Sequence, residues 1–246
     1  MTQSDFIFPD MDEIGIDTLD AISFAPRFNK YMYDTIKAFC SGEILEVGSG
    51  IGNISSLFIQ DGASIHLSDI RDNYVEILKT NFADSARSVS NIDIAHPEFD
   101  DLYRDRMESF DSIFALNVVE HIKDDGLAIR NCKKLLKPGG KLVILVPAYM
   151  FMYNSFDTAL EHYRRYTSKS LRAIMEPELK ILHQQYFNVF GMLGWFVSGK
   201  ILKKKTIPKN QMQLYDRLIL VSKTLDKLVL NKIGLSTICV GEKIPA

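Results

Sequence analysis

The chain has 246 residues, of which 46% are hydrophobic, and a formal net charge of −2 at pH 7. This length and apolar content predict one large domain with its own core, and the near-neutral charge gives no general attraction to nucleic acid. The first residues lack the basic head and apolar run of a secretion signal, and no apolar run is as long as a membrane span. We therefore expect a cytoplasmic protein with no integral membrane segment and no nucleic-acid partner.

The predicted elements begin with "PRFNKYMYDTIKAF", residues 26–39, which has the pattern of an amphipathic helix. From Glu43 to Pro147, strand-like and helix-like segments alternate. The strands are "EILEV", "SIHLSD", "SVSNIDI", "FDSIFAL" and "KLVILV"; the helices are "NISSLFIQ", "RDNYVEILKTNF", "PEFDDLYRDR" and "DDGLAIRNCKKLL". This alternation predicts a parallel sheet with helices on both faces, whose ligands bind at the carboxyl ends of the strands.

Directly after the first predicted strand, the stretch "ILEVGSGIGNIS" carries glycines at 48, 50 and 52. The order of strand, turn and helix is typical of a nucleotide-binding loop. The dinucleotide fingerprint places its third glycine one position later, and the carboxylate of Glu46 would repel a pyrophosphate. S-adenosylmethionine has an ammonium group, a sulfonium and no phosphate, so it suits this acidic loop better than a dinucleotide does.

Two further acids follow the next predicted strands. Asp69 lies 23 residues beyond Glu46, close to the spacing at which an acid binds ribose hydroxyls. Asp93 ends the third predicted strand, where it could accept a hydrogen bond from an adenine amino group, with Ile94 against the ring. The two acids predict a nucleoside ligand without selecting between the two cofactor classes.

The chain resembles the class I S-adenosylmethionine-dependent methyltransferases of the small-molecule group. The motifs are "LEVGSGIGN", "LSDI", "NIDI", "FDSIFALNVVEHI" and "LLKPGGKLVILVP", in the family's order. The resemblance implies a Rossmann-like α/β fold with a seven-stranded, mostly parallel sheet, an antiparallel last strand and helices on both faces. It also implies the cofactor-binding residues Glu46, Gly48, Ser49, Gly50, Asn53, Asp69, Ile70, Asp93, Ile94 and Asn117. In this family the N-terminal helix covers the cofactor, which would bring Asn29, Tyr31 and Tyr33 over the site.

The segment "NVVEHI" is similar to the E-x-x-E-H metal-binding pattern of some methyltransferases, with Asn117 in place of the first acid. The change removes one hard oxygen ligand. We therefore expect no metal and interpret Glu120 and His121 as structural residues.

Candidate catalytic residues follow the fifth predicted strand. The run "SFDTALEHYRRY" is similar to the D-x-x-x-G-H-x-R-R-Y run of related enzymes, with Glu161 replacing the glycine. His162 is our candidate general base because imidazole titrates near neutrality. Asp157 would orient it and Tyr153 would lie in the acceptor wall. The alternative is structural: Asp157 would form an ion pair with one of the two arginines of this run, and His162 would only bind backbone.

From Lys200 to Lys232 there are nine basic residues and two acids. The stretch "QMQLYDRLILVSKTLDKLVL" predicts one helix with an apolar face, so that its lysines form the solvated opposite face. The alternative is a surface for an anionic lipid or an acidic carrier protein at residues 190–232. The final "LSTICVGEKI" is predicted to pair antiparallel with "LKILHQQYF" at the sheet edge.

We thus expect a single methyltransferase domain over residues 1–246. Residues 1–40 would form the N-terminal cap, 41–150 the cofactor-binding core, and 151–246 the acceptor side, with a helical insertion at about 190–232. The predicted reaction is methyl transfer from S-adenosylmethionine to a small or lipid-like molecule in a biosynthetic pathway, with oxygen favoured as acceptor atom. Nitrogen or carbon methylation stays open, as do a nucleotide-dependent oxidoreductase and a cofactor-binding protein without activity.

Overall fold

The computed structural model describes residues 13–245, and its centre is one sheet of seven strands in the order β3-β2-β1-β4-β5-β7-β6. The strands are β1 Glu43–Val47, β2 Ser64–Asp69, β3 Ser88–Asn91, β4 Phe110–Leu116, β5 Leu136–Pro147, β6 Lys180–Phe187 and β7 Ser236–Glu242. Strands β1 to β5 pair in parallel, whereas β7 lies antiparallel between β5 and β6. The predicted fold class and the predicted β6–β7 pairing are confirmed.

Eleven α-helices are found within residues 13–245. They are α1 Glu13–Ser23, α2 Pro26–Ile36, α3 Ser55–Gln60, α4 Asp72–Phe82, α5 Phe99–Leu102, α6 Asp125–Leu135, α7 Ser155–Ala159, α8 Ser168–Met175, α9 Val189–Trp195, α10 Lys209–Arg217 and α11 Ile219–Leu228. After α9 the chain continues as a wider helical turn over Phe196–Ile201. Residues 1–12, which belong to the predicted cap, lie outside the described residues.

The sheet has a hydrophobic core on each face, because successive side chains of a strand point to opposite sides. On β1, Leu45 belongs to the core that includes α6 and α8 residues, whereas Ile44 belongs to the core that includes residues of α2, α3 and α4. Both side chains are at most 2% exposed. The central strands are therefore buried on both faces, as their apolar runs predicted.

Strand β3 ends earlier than predicted, at Asn91, because the chain turns there. The carboxylate Oδ1 of Asp93 accepts a hydrogen bond from the backbone N–H of Ala95 at 2.8 Å, which stabilises this turn. The turn also brings Asp93 to the carboxyl end of the sheet, beside the ends of the neighbouring strands.

The insertion between β6 and β7 differs from its sequence prediction. The segment predicted as one helix is divided at Leu218 into α10 and α11. Its predicted core face is largely exposed: Leu214 is 58% exposed and Leu228 is 72% exposed. The prediction of a buried apolar face with lysines opposite is therefore wrong.

Buried carboxylates explain the reversed orientation of this insertion. Asp216 accepts the backbone N–H of Phe28 in α2 at 2.8 Å. Asp226, which is 1% exposed, accepts the backbone N–H groups of Asn188 and Val189 at 2.8 and 2.7 Å. Hydrogen bonds to charged acceptors are stronger than those between neutral groups. They hold the polar face of α10 and α11 inward and leave leucines outside.

No helix within residues 13–245 combines the length and the apolar character needed to cross a membrane.

Candidate cofactor and acceptor site

A cavity of about 780 Å³ lies at the carboxyl ends of the parallel strands. Pockets for small molecules usually measure roughly 300–1,000 Å³, so this volume can hold a nucleoside-sized ligand and a second small molecule. The strand ends contribute one part of the wall, and the first two helices, the 156–165 segment and helices α9 and α10 contribute the rest. The wall therefore joins the predicted cofactor-binding core to the predicted acceptor side.

The glycine loop needs its glycines for conformation and for space. Gly48 and Gly50 have φ of +72° and +56°, in the left-handed region that L side chains rarely adopt. A Cβ on Gly48 would lie 2.4 Å from the Val118 side chain, and one on Gly50 would lie 2.8 Å from Leu19. Both glycines line the cavity, so the loop presents backbone to any ligand there.

Asp69 connects the end of β2 to this loop. Its carboxylate accepts the backbone N–H groups of Gly50 and Arg71, each at 3.0 Å, and the residue is 6% exposed. Burial raises the pKa of Asp69, and the two backbone donors offset part of this effect. A carboxylate has about four lone-pair sites, so Asp69 keeps acceptor capacity toward the cavity that it lines.

Four more of the predicted cofactor residues line the same cavity. Ile70 follows β2, and Asp93 and Ile94 lie just beyond β3. Asn117 comes directly after β4, with φ of +55°, and its backbone N–H donates to the carbonyl of Leu145 at 2.8 Å. The structure therefore brings together seven of the ten predicted residues, counting Gly48, Gly50 and Asp69.

The other three predicted cofactor residues do not line the cavity. Ser49 accepts the N–H of Ser68 on its hydroxyl at 3.2 Å. Asn53 donates its side-chain amide to the carbonyl of Leu19 at 3.0 Å, which ties α1 to the loop. Their cofactor-binding roles stay predictions.

Glu46 is the third of these residues, and it lies behind the glycine loop. Its carboxyl group accepts a hydrogen bond from the Ser55 hydroxyl, and the residue is 4% exposed. Burial raises the pKa of Glu46 from 4.5 to about 8, and the Ser55 donor only partly opposes this shift. At neutral pH this carboxyl group is therefore mostly protonated.

His162 lines the cavity on the predicted acceptor side and is held by Asp157. The His162 Nδ1 and Asp157 Oδ1 atoms are 2.9 Å apart, and the Arg165 Nε donates to the same Oδ1 at 2.7 Å. The other Asp157 oxygen accepts the backbone N–H of Asn154 and caps α7. Asp157 thus binds the imidazole and also forms the predicted ion pair, with Arg165. The catalytic roles of His162, Asp157 and Tyr153 stay predictions.

Electrostatics keep Asp157 ionised. Burial disfavours its charged form, but the hydrogen bond from His162 and the charge of Arg165 outweigh that effect and hold the pKa of Asp157 below its ordinary value. Tyr153 is not a lining residue; its hydroxyl donates to the carbonyl oxygen of His162 at 2.8 Å. Any influence of Asp157 or Tyr153 on a ligand would therefore act through His162.

A cluster of three residues, Glu120, His121 and His162, lies beside this pair and lines the cavity. Each offers one ligand atom, and these atoms lie within 4.8 Å of one another, so the cluster could hold a metal ion. Both carboxylate oxygens of Glu120 are buried and lack a hydrogen-bond partner among residues 13–245. The sequence analysis interpreted Glu120 and His121 as structural residues and did not predict that His162 would lie beside them.

Burial controls the charges in this cluster. It raises the pKa of Glu120 to about 7, and the neighbouring His162 and Arg165 side chains only partly oppose the shift. Burial, with the neighbouring His162 and Arg71 side chains, lowers the pKa of His121 to about 3. The His121 imidazole is therefore neutral, and the Glu120 carboxyl group can carry a proton near pH 7.

The N-terminal helix covers the cavity with different residues from those predicted. Tyr31 donates to Asp226 at 2.7 Å, Tyr33 donates to Asp61, and Asn29 donates to the carbonyl of Ile22. None of the three predicted residues lines the cavity; Phe28 and Met32 of α2 do so instead. The tyrosine hydroxyls of α2 point away from the cavity, because one binds the buried Asp226 of α11 and the other binds the exposed Asp61 at the end of α3.

Sequence reasoning missed two cavity residues. Arg71 lies two positions beyond Asp69, a position that could have marked it as a neighbour of the ligand. Trp195 in α9 stacks under the Arg165 guanidinium, with 4.9 Å between the guanidinium carbon and the ring centroid. The Trp195 Nε1 is buried and has no hydrogen-bond partner within residues 13–245. The sequence analysis assigned the insertion to the acceptor side but did not single out Trp195.

Comparisons with known proteins agree with this arrangement. A family profile described as "Methyltransferase domain" matches residues 45–142. A ubiquinone biosynthesis O-methyltransferase of Xanthomonas oryzae pv. oryzae is 32% identical over 101 residues, which are 41% of this chain and 41% of that protein. The chain thus aligns with about two-fifths of the length of these relatives.

Solved structures share the fold at low sequence identity. A methyltransferase of Thermotoga maritima superposes with a TM-score of 0.62 at 12% identity, covering 95% of this chain and 98% of that chain. Phosphoethanolamine N-methyltransferase 2 of Haemonchus contortus, solved with phosphomonomethylethanolamine and S-adenosylhomocysteine, has a TM-score of 0.59 at 16% identity. It covers 97% of this chain and 61% of that chain.

The raised pKa of Glu46 predicts a pH-dependent stability. In the folded, ligand-free protein this pKa is about 8, against 4.5 for an ordinary glutamate, so folding favours the protonated form. The stabilisation is complete below pH 4.5 and is lost as the pH rises to about 8. Relative to wild type, Glu46→Gln should therefore be less affected by this rise. Urea denaturation midpoints at pH 5, 6.5 and 8 measure the difference, and parallel profiles for the two proteins would contradict the assigned protonation.

Proposed function

We propose that the chain is a class I S-adenosylmethionine-dependent methyltransferase and that it transfers a methyl group from S-adenosylmethionine to a small or lipid-like acceptor. The observation that carries the proposal is the shared cavity. The glycine loop, Asp69 and Asp93 form one part of its wall, and His162 with its Asp157 partner lies in another. One cavity can thus align a bound methyl donor with an acceptor.

The cofactor half follows from the donors and acceptors at the strand ends. The backbone of Gly48 and Gly50 would hold the methionine portion of S-adenosylmethionine, Asp69 would accept from the ribose hydroxyls, and Asp93 would accept from the adenine amino group with Ile94 against the ring. Asn117 would reach the cofactor beside the methyl group that it supplies. Arg71, which the sequence reasoning did not include, contributes to the same wall.

Methyl transfer is an in-line displacement in which the acceptor atom forms a bond to the methyl carbon as the carbon–sulfur bond breaks. The electron pair of that bond remains on sulfur, which leaves S-adenosylhomocysteine. Holding the two partners in line supplies much of the acceleration. For a hydroxyl acceptor, His162 takes the proton on Nε2, because Nδ1 faces the Asp157 carboxylate at 2.9 Å. Asp157 and Tyr153 act as positioning residues for this base.

The acceptor wall is mainly apolar, which favours a lipid-like or aromatic acceptor. Phe28, Met32, Phe156, Trp195 and Met212 all line the cavity. The relatives in Xanthomonas carry the name of ubiquinone biosynthesis O-methyltransferases, which supports oxygen as the acceptor atom. The insertion at residues 190–232 is the part that would contact a membrane surface or an acidic carrier protein.

Replacement of Asp69 tests the cofactor assignment. Asp69→Asn should weaken S-adenosylmethionine binding by about 1–3 kcal/mol, roughly 5- to 150-fold, because the ribose hydroxyls lose a charged acceptor. Asp105→Asn is the matched control, since Asp105 is exposed and does not line the cavity. Titration calorimetry with S-adenosylmethionine and with NADH measures both variants. Unchanged affinity in Asp69→Asn, or tighter binding of NADH than of S-adenosylmethionine by wild type, would reject the assigned site.

Replacement of His162 separates the two halves of the cavity. His162→Ala should lower turnover while S-adenosylmethionine affinity stays within about threefold, a difference of roughly 0.7 kcal/mol. His183→Ala is the matched control, because His183 lies on β6 away from the cavity. Labelled methyl transfer to a panel of phenols and other hydroxyl acceptors gives turnover, and melting temperature reports the fold. Normal turnover in a folded His162→Ala protein would show that His162 is not the base.

The absence of a required metal ion is the third functional prediction. Only three ligand groups meet in the Glu120 cluster, Asn117 replaces the further acid of the metal-binding pattern, and Glu120 can carry a proton instead of facing a cation. Turnover should therefore survive dialysis against EDTA, and the purified protein should contain no stoichiometric divalent ion by mass spectrometry. A loss of turnover that magnesium or zinc restores in wild type, but not in Glu120→Gln, would show that the cluster binds a catalytic ion.

A further inference from the structure

The insertion between β6 and β7 exposes an unusual amount of apolar surface. Of the nineteen large apolar side chains that are exposed within residues 13–245, twelve lie between 193 and 233. Large exposed apolar patches mark interaction sites more often than scattered single residues do. This segment is therefore a candidate surface for binding a partner.

The clearest patch is on the helical segment from Val189 to Ile201. The exposed members recur every three or four residues: Leu193 at 64%, Phe196 at 39%, Val197 at 37% and Ile201 at 60%. This spacing places them along one side of the segment. Met150 and Phe151 extend the patch, since the Lys200 ammonium donates to the Phe151 carbonyl at 2.8 Å and both residues are more than half exposed.

Among residues 189–233, the exposed charge is entirely positive. Lys200, Lys203, Lys204 and Lys205 form no ion pair with any residue between 13 and 245. The only acids from 189 to 233 are Asp216 and Asp226, and both are buried as acceptors of backbone N–H groups. An uncompensated cluster of lysines beside exposed apolar side chains is the pattern of helices that lie on anionic membranes.

The same helical segment also forms a wall of the cavity. Gly191, Gly194, Trp195 and Ser198 line the cavity, whereas Leu193, Phe196, Val197 and Ile201 are exposed to solvent. One side of a single helical segment thus faces the candidate acceptor site, and another side carries the exposed patch. A partner bound to the patch would lie one helix diameter from the acceptor site.

We propose that this insertion docks the protein on an anionic lipid bilayer, from which a lipophilic acceptor enters the cavity. The docking face consists of Met150, Phe151, Leu193, Phe196, Val197, Ile201 and Leu202 with Lys200, Lys203 and Lys205. The apolar side chains enter the headgroup boundary while the lysines contact lipid phosphates. A fluid bilayer accepts protruding side chains without a complementary groove, which favours it over a folded carrier protein. Docking on the bilayer does not depend on the proposed methyl transfer. The entry of a lipophilic acceptor from the bilayer rests on the proposed function.

Vesicle sedimentation tests the docking step with no cofactor or acceptor present. Wild type should sediment with vesicles of equal parts phosphatidylglycerol and phosphatidylcholine, and at least tenfold less with phosphatidylcholine alone or at 0.5 M salt. Leu193→Glu/Ile201→Glu and Lys203→Glu/Lys205→Glu should each reduce binding at least tenfold. Leu102→Glu/Lys79→Glu, a matched pair of exposed residues on α5 and α4, should bind as wild type does.

The readouts separate failure of docking from failure of the proposed function. Calorimetry with S-adenosylmethionine should give the same affinity for wild type and all three double variants, which shows that the fold and the cofactor half are intact. The proposal is wrong if wild type sediments equally with charged and uncharged vesicles. It is also wrong if both docking-face variants sediment as wild type does. Absence of vesicle binding together with binding of an acidic acyl carrier protein overturns it in favour of a protein partner. If wild type does not bind S-adenosylmethionine, the proposed function is rejected and the docking result is unaffected.

Discussion

The order of the strands is the constraint on which the rest of the molecule depends. β1 lies between β2 and β4, so the chain leaves β1 toward one edge of the sheet and returns to the other side of β1 through β4. The loops after these two strands diverge and leave a crevice at their carboxyl ends. The glycines after β1 and Asn117 after β4 meet at that crevice. Because parallel strands all end at one side, the acids after β2 and β3 face the same space, and the cavity needs no separate scaffold.

Burial then determines the chemistry of the groups around the crevice. Asp157 stays ionised at nearly complete burial because His162 and Arg165 both bind the same oxygen. Glu120 has no such donor, so burial raises its pKa to about 7 and leaves a carboxyl group that can carry a proton near neutral pH. The contrast between these two carboxyl groups, which both lie close to His162, follows from the hydrogen bonds and the Arg165 charge that Asp157 has and the burial without hydrogen-bond donors at Glu120. The acceptor side of the cavity therefore has one ionised and one protonatable carboxyl group at or behind its wall, although its lining is mainly apolar.

The insertion reverses the usual distribution of polar and apolar side chains. Asp216 and Asp226 are buried because each accepts backbone N–H groups that would otherwise lack a partner, and these bonds attach α10 and α11 to α2 and to the end of β6. With the polar side fixed inward, leucines and lysines remain outside. These buried hydrogen bonds thus fix α10 and α11 against α2 and the start of α9, whereas the proposed docking face lies on α9 and the helical turn that follows it. Residues of α9 and α10 both line the cavity, so the candidate acceptor site lies next to the proposed docking face.

The sequence by itself determined the sheet, because its strands carry strong local signals: short apolar runs separated by glycine-rich turns and amphipathic helices. It also predicted residues at or just beyond the ends of the strands, seven of which line the cavity, because the carboxyl ends of parallel strands must meet. Only the tertiary structure decided what depends on contacts between distant segments. Phe28 and Met32 line the cavity instead of Tyr31 and Tyr33, because the tyrosine hydroxyls bind Asp226 and Asp61. The leucines of the insertion are exposed because Asp216 and Asp226 face inward and accept backbone N–H groups. The cluster of Glu120 with His162 depends on the packing of two segments that are distant in the sequence. Helical periodicity shows which residues share a side of a helix, but it does not show which side packs against the rest of the protein.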